Sequence, residues 1–199
     1  LGSFFHIAMN GMAASDKIFF LLDLPEPESK NVPVPDDCSM KCHNLRFSYE
    51  AGREILHGIN MDFPKGSFTA IVGESGCGKS TISSILMGHH REYRGEITVG
   101  GCPLSEINES SLMENFTYIS HQSYLFKGTV RENLLMAQPD AGEDTLWQVL
   151  EQMKLAEFLK GEKGLDTILS EKASNLSGGQ CQRLALARAL LHDSPVYIF

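Results

Sequence analysis

The segment that most constrains the fold of this chain is residues 68–87. A hydrophobic run at 68–72 predicts a strand, a glycine-rich loop follows at 73–80, and the apolar spacing after it predicts a helix. The loop has the pattern G-x-x-x-x-G-K-[ST], whose glycines let successive backbone N–H groups turn inward around a phosphate. The following helix directs its positive end at the same anion. A strand, a loop and a helix in this order predict a site for the phosphates of a nucleotide.

Two side chains at the end of the loop are suited to contact the phosphates and a metal ion. Lys79 adds a mobile cation for the β- and γ-phosphate oxygens, and Ser80 supplies a hydroxyl to Mg²⁺, which bridges the same phosphates. Cys77 occupies a variable position of the loop and is interpreted as a tolerated small residue. The predicted phosphate-binding residues are Gly73, Glu74, Ser75, Gly76, Cys77, Gly78, Lys79, Ser80 and Thr81.

A second motif lies about a hundred residues further along the chain. Residues 176–180 read Leu-Ser-Gly-Gly-Gln and precede a run rich in Ala, Leu and Arg, which predicts a helix with Ser177 near its start. A serine hydroxyl and two glycine N–H groups at a helix N-terminus can bind an anion, because the helix dipole favours negative charge there. Alone, this pattern is most often a helix cap, but after a phosphate loop it indicates a second phosphate contact.

Composition and charge exclude several classes of protein. Hydrophobic residues make up 42% and charged residues 21% of the 199, which is typical of a globular chain. The net charge of −8 provides no general attraction for nucleic acid, so any phosphate must be held locally and no nucleic acid partner is expected. The five cysteines are scattered, which fits a reducing compartment better than a disulfide framework.

The first part of the chain differs from the rest. Apolar residues at three- and four-residue steps predict an amphipathic helical arm over residues 1–24, too interrupted by polar residues to span a membrane. Four of the eight prolines lie between positions 25 and 35, which predicts an extended linker over residues 25–38. We therefore expect the globular domain to cover residues 39–199.

The two motifs together resemble the nucleotide-binding domains of the ATP-binding cassette family, from about residue 40 to the end. Residues 73–80 match the Walker A loop of that family, and residues 176–180 match its LSGGQ signature without a substitution. Between them, residues 119–133 resemble the family's Q-loop region in the form found in exporters, with Gln122 as the Q-loop glutamine.

The resemblance implies that the domain binds ATP and Mg²⁺, and it implies a role for several individual residues. Tyr49 is expected to stack on adenine, although a plain strand aromatic is the simpler interpretation. Lys79 and Gln122 are expected to be catalytic, with Ser80 and Gln122 holding Mg²⁺; without the family, Gln122 would be a solvated turn residue. The signature residues that would bind ATP are Ser177, Gly178, Gly179 and Gln180.

The expected fold is an α/β P-loop NTPase of the RecA type. Antiparallel strands at 41–49 and 55–63 predict a β subdomain, with further strands near 95–99 and 116–120. A mostly helical stretch at 130–170 belongs to an α-helical subdomain, at about 123–180, that carries the signature. The apolar run at 195–199 resembles the Walker B strand, so the domain is expected to be truncated there, with the metal-binding Asp and catalytic Glu beyond Phe199.

The function implied by the resemblance is ATP binding and hydrolysis in an exporter, powering transport by ATP-driven head-to-tail dimerisation. The implied partners are a second nucleotide-binding domain, in a homodimer or heterodimer, and a transmembrane domain of the same polypeptide, at the cytoplasmic face of the cell membrane. Residues 1–199 alone are expected to be inactive. His89 and His90, after the phosphate-loop helix, are expected to be solvated.

Two alternatives remain open on the sequence. One is a soluble cassette ATPase that is not coupled to a membrane domain, against which the acidic balance and the helical arm argue. The other is a non-hydrolytic, regulatory half of a heterodimeric transporter, which the sequence does not distinguish from a hydrolytic one.

Overall fold

The computed structural model describes residues 2–25, 30–50, 52–120 and 124–199. Contacts divide the chain into two units, Leu1–Lys30 and Asn31–Phe199. The first unit contains one helix, α1, over Gly2–Leu22, as predicted for the start of the chain. Its described large apolar side chains are exposed: Phe4, Phe5, Met9, Met12, Ile18, Phe19, Phe20, Leu21 and Leu22. No helix in the described ranges is both long enough and apolar enough to cross a membrane.

The second unit begins with an antiparallel sheet of four strands in the order β2-β1-β3-β4. The strands are β1 (Met40–Glu50), β2 (Arg53–Phe63), β3 (Arg94–Val99) and β4 (Cys102–Pro103). The sequence predicted the first three closely, because apolar residues alternate along them and place one face in the core. In β1, for example, Met40, Cys42 and Phe47 are buried while Lys41 is exposed.

Two smaller strand pairs complete the sheet structure. Strand β5 (Phe116–Tyr118) runs parallel to β8 (Val196–Ile198), so the apolar run near position 199 does form a strand. Strand β6 (Gly128–Thr129) pairs in the antiparallel sense with β7 (Ile168–Leu169). The parallel pair brings a segment near the end of the chain beside the segment that precedes residue 121.

The strand predicted at 68–72 is absent, and this prediction was wrong. No strand is formed there, and Phe68 and Val72 are 86% and 88% exposed. A strand exists only where a neighbour pairs with its backbone, and in the described part of the chain β5 and β8 pair with each other and not with residues 68–72. Residues 68–72 are largely hydrophobic, but hydrophobicity alone supplies no hydrogen-bond partner for the backbone of a strand.

Six helices belong to the described part of the second unit. They are α2 (Lys79–Leu86), α3 (Glu109–Asn115), α4 (Val130–Leu135), α5 (Glu143–Gln152), α6 (Ala156–Gly161) and α7 (Gly178–Leu191). Short 3₁₀ turns lie at Leu104–Glu106, Gly164–Asp166 and Glu171–Ala173. The predicted helix after the phosphate loop is α2, the mostly helical stretch at 130–170 contains α4 to α6, and the helix after the signature is α7.

The second unit has two hydrophobic clusters. The sheet cluster joins the antiparallel sheet to α2, α3 and β5; its buried residues are Met40, Cys42, Leu45, Phe47, Leu56, Ile82, Ile85, Leu86, Ile97, Val99, Leu104, Ile107, Leu112 and Phe116. The helical cluster joins α4 to α7; its buried residues are Leu125, Val130, Leu134, Leu146, Val149, Leu150, Leu155, Ala156, Leu159, Leu165, Leu169, Ala173, Leu184, Ala187 and Leu191. The phosphate-loop helix and the signature helix thus pack in different clusters.

A buried asparagine fixes the loop that leads into the helical cluster. Asn133, on α4, is 1% exposed, and its Oδ1 accepts a hydrogen bond from the backbone N–H of Phe126 at 2.8 Å. Its Nδ2 donates to the carbonyl oxygens of Phe126 at 2.9 Å and Thr129 at 3.0 Å. Three backbone groups therefore depend on one side-chain amide, since buried polar groups need a partner.

We expect Asn133→Ala to lower the free energy of unfolding by about 2–4 kcal/mol, because it leaves buried backbone groups unsatisfied. Chemical denaturation followed by circular dichroism measures the change. Gln152→Ala, at an exposed position of α5, is the matched control and should stay within about 0.5 kcal/mol. Equal stabilities for the two variants would contradict the role given to Asn133.

Candidate nucleotide site

The start of α2 is suited to bind an anion. Gly78 precedes the helix with φ +96°, in the left-handed region, where glycine is favoured. It provides no side-chain cap, and the first turn contains no acidic residue. The first N–H groups of the helix and its positive end can therefore interact with a phosphate without competition from a local carboxylate.

The ammonium of Lys79 organises the loop that leads to this helix. Its Nζ donates to the carbonyl oxygens of Gly73 at 2.9 Å and Glu74 at 2.8 Å, and lies 3.8 Å from Cys77 Sγ. The loop backbone thus turns around one positive charge. Because an ammonium has three N–H donors and no fixed fork geometry, phosphate oxygens can replace these carbonyl acceptors.

The remaining loop residues are accessible to a ligand. Residues 73–77 are exposed, and so is Ser80, whose hydroxyl was predicted to hold Mg²⁺. Gly76 has φ +84°, a second left-handed position in the loop. Thr81 is buried, and its Oγ1 lies 3.2 Å from the hydroxyl of Tyr49.

Tyr49 reaches the phosphate-loop helix from the end of β1. Besides the contact with Thr81, its ring packs edge-to-face on Phe47 and on His90, with centroid distances of 4.9 Å and 5.2 Å. Tyr49 remains 54% exposed, so much of the side chain can still contact a ligand. The structure therefore brings the predicted base-stacking residue and the predicted phosphate-binding residues to the same helix. Stacking of Tyr49 on adenine stays a prediction.

The signature residues form the start of α7. Ser177 is the N-cap residue, as predicted, and its Oγ accepts from the N–H of Gln180 at 3.3 Å. The Gln180 Oε1 accepts in turn from the N–H of Ser177 at 2.8 Å, which completes a capping box. The hydroxyl proton of Ser177 is still able to donate to an anion, and only the Oε1 of the Gln180 side chain is engaged in the cap.

Two arginines of α7 lie near segments of the predicted site, Arg183 near the signature and Arg188 near the Q-loop region. A Cβ added at Gly179 would lie 3.4 Å from Nη1 of Arg183, so this guanidinium is close to the first turn of the helix. Its Nε is buried and has no hydrogen-bond partner among the described residues. Arg188 donates to the carbonyl oxygen of Tyr124 at 2.8 Å, which ties α7 to the segment after residue 123, and burial lowers the pKa of Arg188.

Sequence reasoning and structure agree only in part on the site. Gln122, predicted to be catalytic and to bind metal, lies outside the described residues, and its role stays a prediction. His90 was expected to be solvated, which was wrong: the side chain is half-buried against Phe47 and Tyr49. No local pattern reveals this contact, because His90 lies far along the chain from Phe47 and Tyr49. Arg183 could have been found, since residues four apart share a helix face and it follows Gly179 at that spacing.

A loop wrapped around a lysine at the start of a helix is the phosphate-binding arrangement of P-loop proteins. The family model described as ABC transporter matches residues 56–199. The chain therefore belongs to the ABC transporter family, and its α/β fold with two separate clusters is a P-loop NTPase fold of this family.

Curated relatives agree with this assignment. The chain is 45% identical, over its whole length, to an "Uncharacterized ABC transporter ATP-binding protein" of Haemophilus influenzae, of which it covers 36%. It is 39% identical over 94% of its length to an "ATP-dependent lipid A-core flippase" of Pasteurella multocida, covering 33% of that protein. It is 36% identical over 83% of its length to the "Glutathione/L-cysteine transport system ATP-binding/permease protein CydC" of Escherichia coli, covering 29%.

A solved structure gives the same result. The chain is similar to a bacterial Atm1-family ABC exporter with ATP bound, at a TM-score of 0.85 and 30% identity, over 95% of this chain and 34% of that one. The chain spans about a third of the length of the curated relatives it matches.

Gly78 and Gly76 offer a matched test of the loop geometry. Both have positive φ, but a Cβ at Gly78 would lie 2.8 Å from Leu56 Cδ2 and 3.2 Å from Ile55 Cγ2, whereas a Cβ at Gly76 meets nothing within 4 Å. We expect Gly76→Ala to cost about 1 kcal/mol of stability through backbone strain alone. Gly78→Ala should cost about 1–3 kcal/mol more, because it also overpacks the sheet cluster.

Thermal or chemical denaturation measures the two costs, and nucleotide titration measures the effect on the loop. Gly78→Ala should weaken nucleotide binding more than Gly76→Ala does. The reverse order in both measurements would contradict the packing of the loop against β2.

Proposed function

We propose that this chain is the ATP-binding and hydrolysing domain of an ABC exporter, which powers transport across a membrane by ATP-driven head-to-tail dimerisation. One observation carries the proposal: a lysine-centred phosphate loop and a capped signature helix occur in one chain of the ABC transporter family, packed in two different hydrophobic clusters. The names of the relatives, which include a lipid A-core flippase and a glutathione/L-cysteine transport protein, support a transport role.

The loop and its surroundings would bind ATP from one side. Lys79 would exchange its carbonyl acceptors for β- and γ-phosphate oxygens, while the first N–H groups of α2 face the same phosphates. Tyr49 would stack on adenine. The exposed hydroxyl of Ser80 fits a ligand of Mg²⁺, together with Gln122, because this ion prefers oxygen donors and keeps several of its waters.

A second copy or a related domain would complete the site. The positive end of α7 carries an N-capping hydroxyl, glycine N–H groups and a nearby arginine, but it packs in the helical cluster while α2 packs in the sheet cluster. In a head-to-tail dimer, Ser177, Gly178 and Gly179 of one protomer would face the γ-phosphate held by the other. A triphosphate bound between two positive helix ends favours the closed dimer, and hydrolysis removes that preference.

The proposed reaction is in-line attack of water on the γ-phosphate. Little covalent chemistry is required of the protein, so catalysis rests on positioning and on neutralising the charge that develops on the phosphoryl oxygens. Lys79 and the loop N–H groups would supply positive charge from one protomer, and the start of α7 from the other. Gln122 would position the water and the metal.

An exposed groove beside the Q-loop region fits a contact with a membrane domain of the same polypeptide, at the cytoplasmic face of the membrane. The groove measures about 480 Å³ and lies between the sheet cluster and the helical cluster. Its rim includes the exposed side chains of Met113, Phe126 and Met136, and exposed apolar patches of this kind mark interaction sites.

The domain boundaries belong to the same proposal. Residues 1–24 would be a helical arm that continues from the membrane domain, residues 25–38 a linker, and residues 39–199 the nucleotide-binding domain with its helical subdomain at about 123–180. The exposed apolar side chains of α1 support an arm that packs on another part of the transporter. The net charge of −8 supports the expectation that nucleic acid is not a partner.

We expect Lys79→Ala to abolish ATP hydrolysis by the protein expressed from its complete reading frame, because the loop loses its only mobile cation. Phosphate release measures the rate. Lys41→Ala is the control: that lysine sits on β1 in an exposed ion pair with Asp62, and its loss should leave turnover unchanged. If Lys79→Ala hydrolyses ATP at the wild-type rate, the assignment of this loop to the ATP-hydrolysing site is wrong.

We expect Ser177→Arg to leave ATP binding to the monomer intact and to prevent ATP-dependent dimerisation, because a bulky cation replaces the small hydroxyl at the proposed interface. Calorimetry measures binding, and size-exclusion chromatography with light scattering measures dimers. Ser105→Arg, the same substitution at an exposed site in the 3₁₀ turn at Leu104–Glu106, should still dimerise. Dimers that persist in Ser177→Arg would refute the head-to-tail arrangement.

A further inference from the structure

Three aromatic rings form a cluster beside the phosphate-loop helix. The rings of Phe47, Tyr49 and His90, here called the ring cluster, have centroid distances of 4.9 Å, 5.0 Å and 5.2 Å, so each ring contacts both others. Phe47 and Tyr49 are two residues apart on β1, and the contact between their rings places both on the same face of the sheet. His90 comes from the segment that follows α2.

The contacts of Tyr49 in this cluster are directional. Its ring lies at 86° to Phe47 and at 84° to His90, the edge-to-face geometry that the charge distribution of aromatic rings favours. Phe47 is buried in the sheet cluster and anchors the group, whereas Tyr49 is exposed over about half of its surface. Rotation of Tyr49 away from this position would lose both ring contacts.

Tyr49 is held at two places, by α2 and by the segment that follows α2. The Tyr49 hydroxyl lies 3.2 Å from Oγ1 of Thr81 in the first turn of α2, and the Tyr49 ring packs on His90 beyond its last turn. An open cleft of about 460 Å³ lies next to these contacts, lined by Tyr49, His90 and residues near them. The ring is thus oriented by its neighbours and still open to a ligand on one side.

We infer that His90 is a positioning residue of the nucleotide site, which orients the Tyr49 ring and thereby determines how strongly the site binds the base of a nucleotide. This inference rests on the proposed stacking of Tyr49 on adenine. Orienting the ring before the ligand arrives reduces the side-chain entropy that is lost on binding. The ring contacts of His90 are with Phe47 and Tyr49, so His90 would act through Tyr49 and its effect must depend on the base.

The experiment compares ATP with inorganic triphosphate, which has no base, by calorimetry on the protein expressed from its complete reading frame. We expect His90→Ala to weaken ATP binding by about three- to tenfold, the size of one aromatic pair contact, and to leave triphosphate binding unchanged. His90→Phe keeps a ring at this position and should restore most of the ATP affinity. His43→Ala is the matched control, since this exposed histidine of β1 lies outside the lining of the cleft.

A double-mutant cycle with Tyr49→Ala separates this inference from the proposed function. If His90 acts through Tyr49, then His90→Ala should cause no further loss of ATP affinity in the Tyr49→Ala background. An unchanged ATP affinity in Tyr49→Ala itself would overturn both the stacking role and the inference. If Tyr49→Ala weakens ATP binding but His90→Ala does not, or if His90→Ala weakens triphosphate equally, the inference alone is overturned.

Discussion

The candidate nucleotide site depends on the hydrogen bonds that the Lys79 ammonium donates to the carbonyl oxygens of Gly73 and Glu74. These bonds draw the loop around a positive charge at the point where α2 begins with the left-handed Gly78. The helix is held in place by Ile82 and Ile85, which are buried in the sheet cluster. A loop closed on a cation at the positive end of a fixed helix places positive charge in a small volume, and this arrangement suits the phosphates of a nucleotide in a protein whose net charge is −8.

The second positive helix end explains why one copy of the domain is proposed to be insufficient. Helix α7 starts with a complete capping box, so two backbone N–H groups at the start of the signature helix have side-chain partners. Its first turn lies near the guanidinium of Arg183, although a cation at a helix N-terminus is electrostatically unfavourable. An anion from another protomer would relieve this repulsion. The energy of closing a dimer would then come from the same triphosphate whose hydrolysis opens it.

Patterns among residues close in sequence predicted much of this structure. The features that they missed depend on contacts between residues far apart in the sequence. Alternation along β1 and β2, the helix after the loop and the cap at Ser177 each depend on residues close in sequence, and each was predicted. The strand predicted at 68–72 does not form, because a strand needs a pairing partner that hydrophobicity cannot supply. His90 was also missed, since its neighbours come from a strand forty residues earlier. The roles of the site residues follow from the family and stay predictions.

The central claim, that each nucleotide site needs two protomers, is tested most directly by complementation. Lys79→Ala and Ser177→Arg variants of the complete reading frame, with different tags, are co-expressed, and the mixed dimer is purified through both tags and assayed for ATP hydrolysis. In a head-to-tail dimer, the intact loop of one chain meets the intact signature of the other, so the mixed dimer should recover activity that neither variant has alone. A mixed dimer as inactive as either parent would contradict the account.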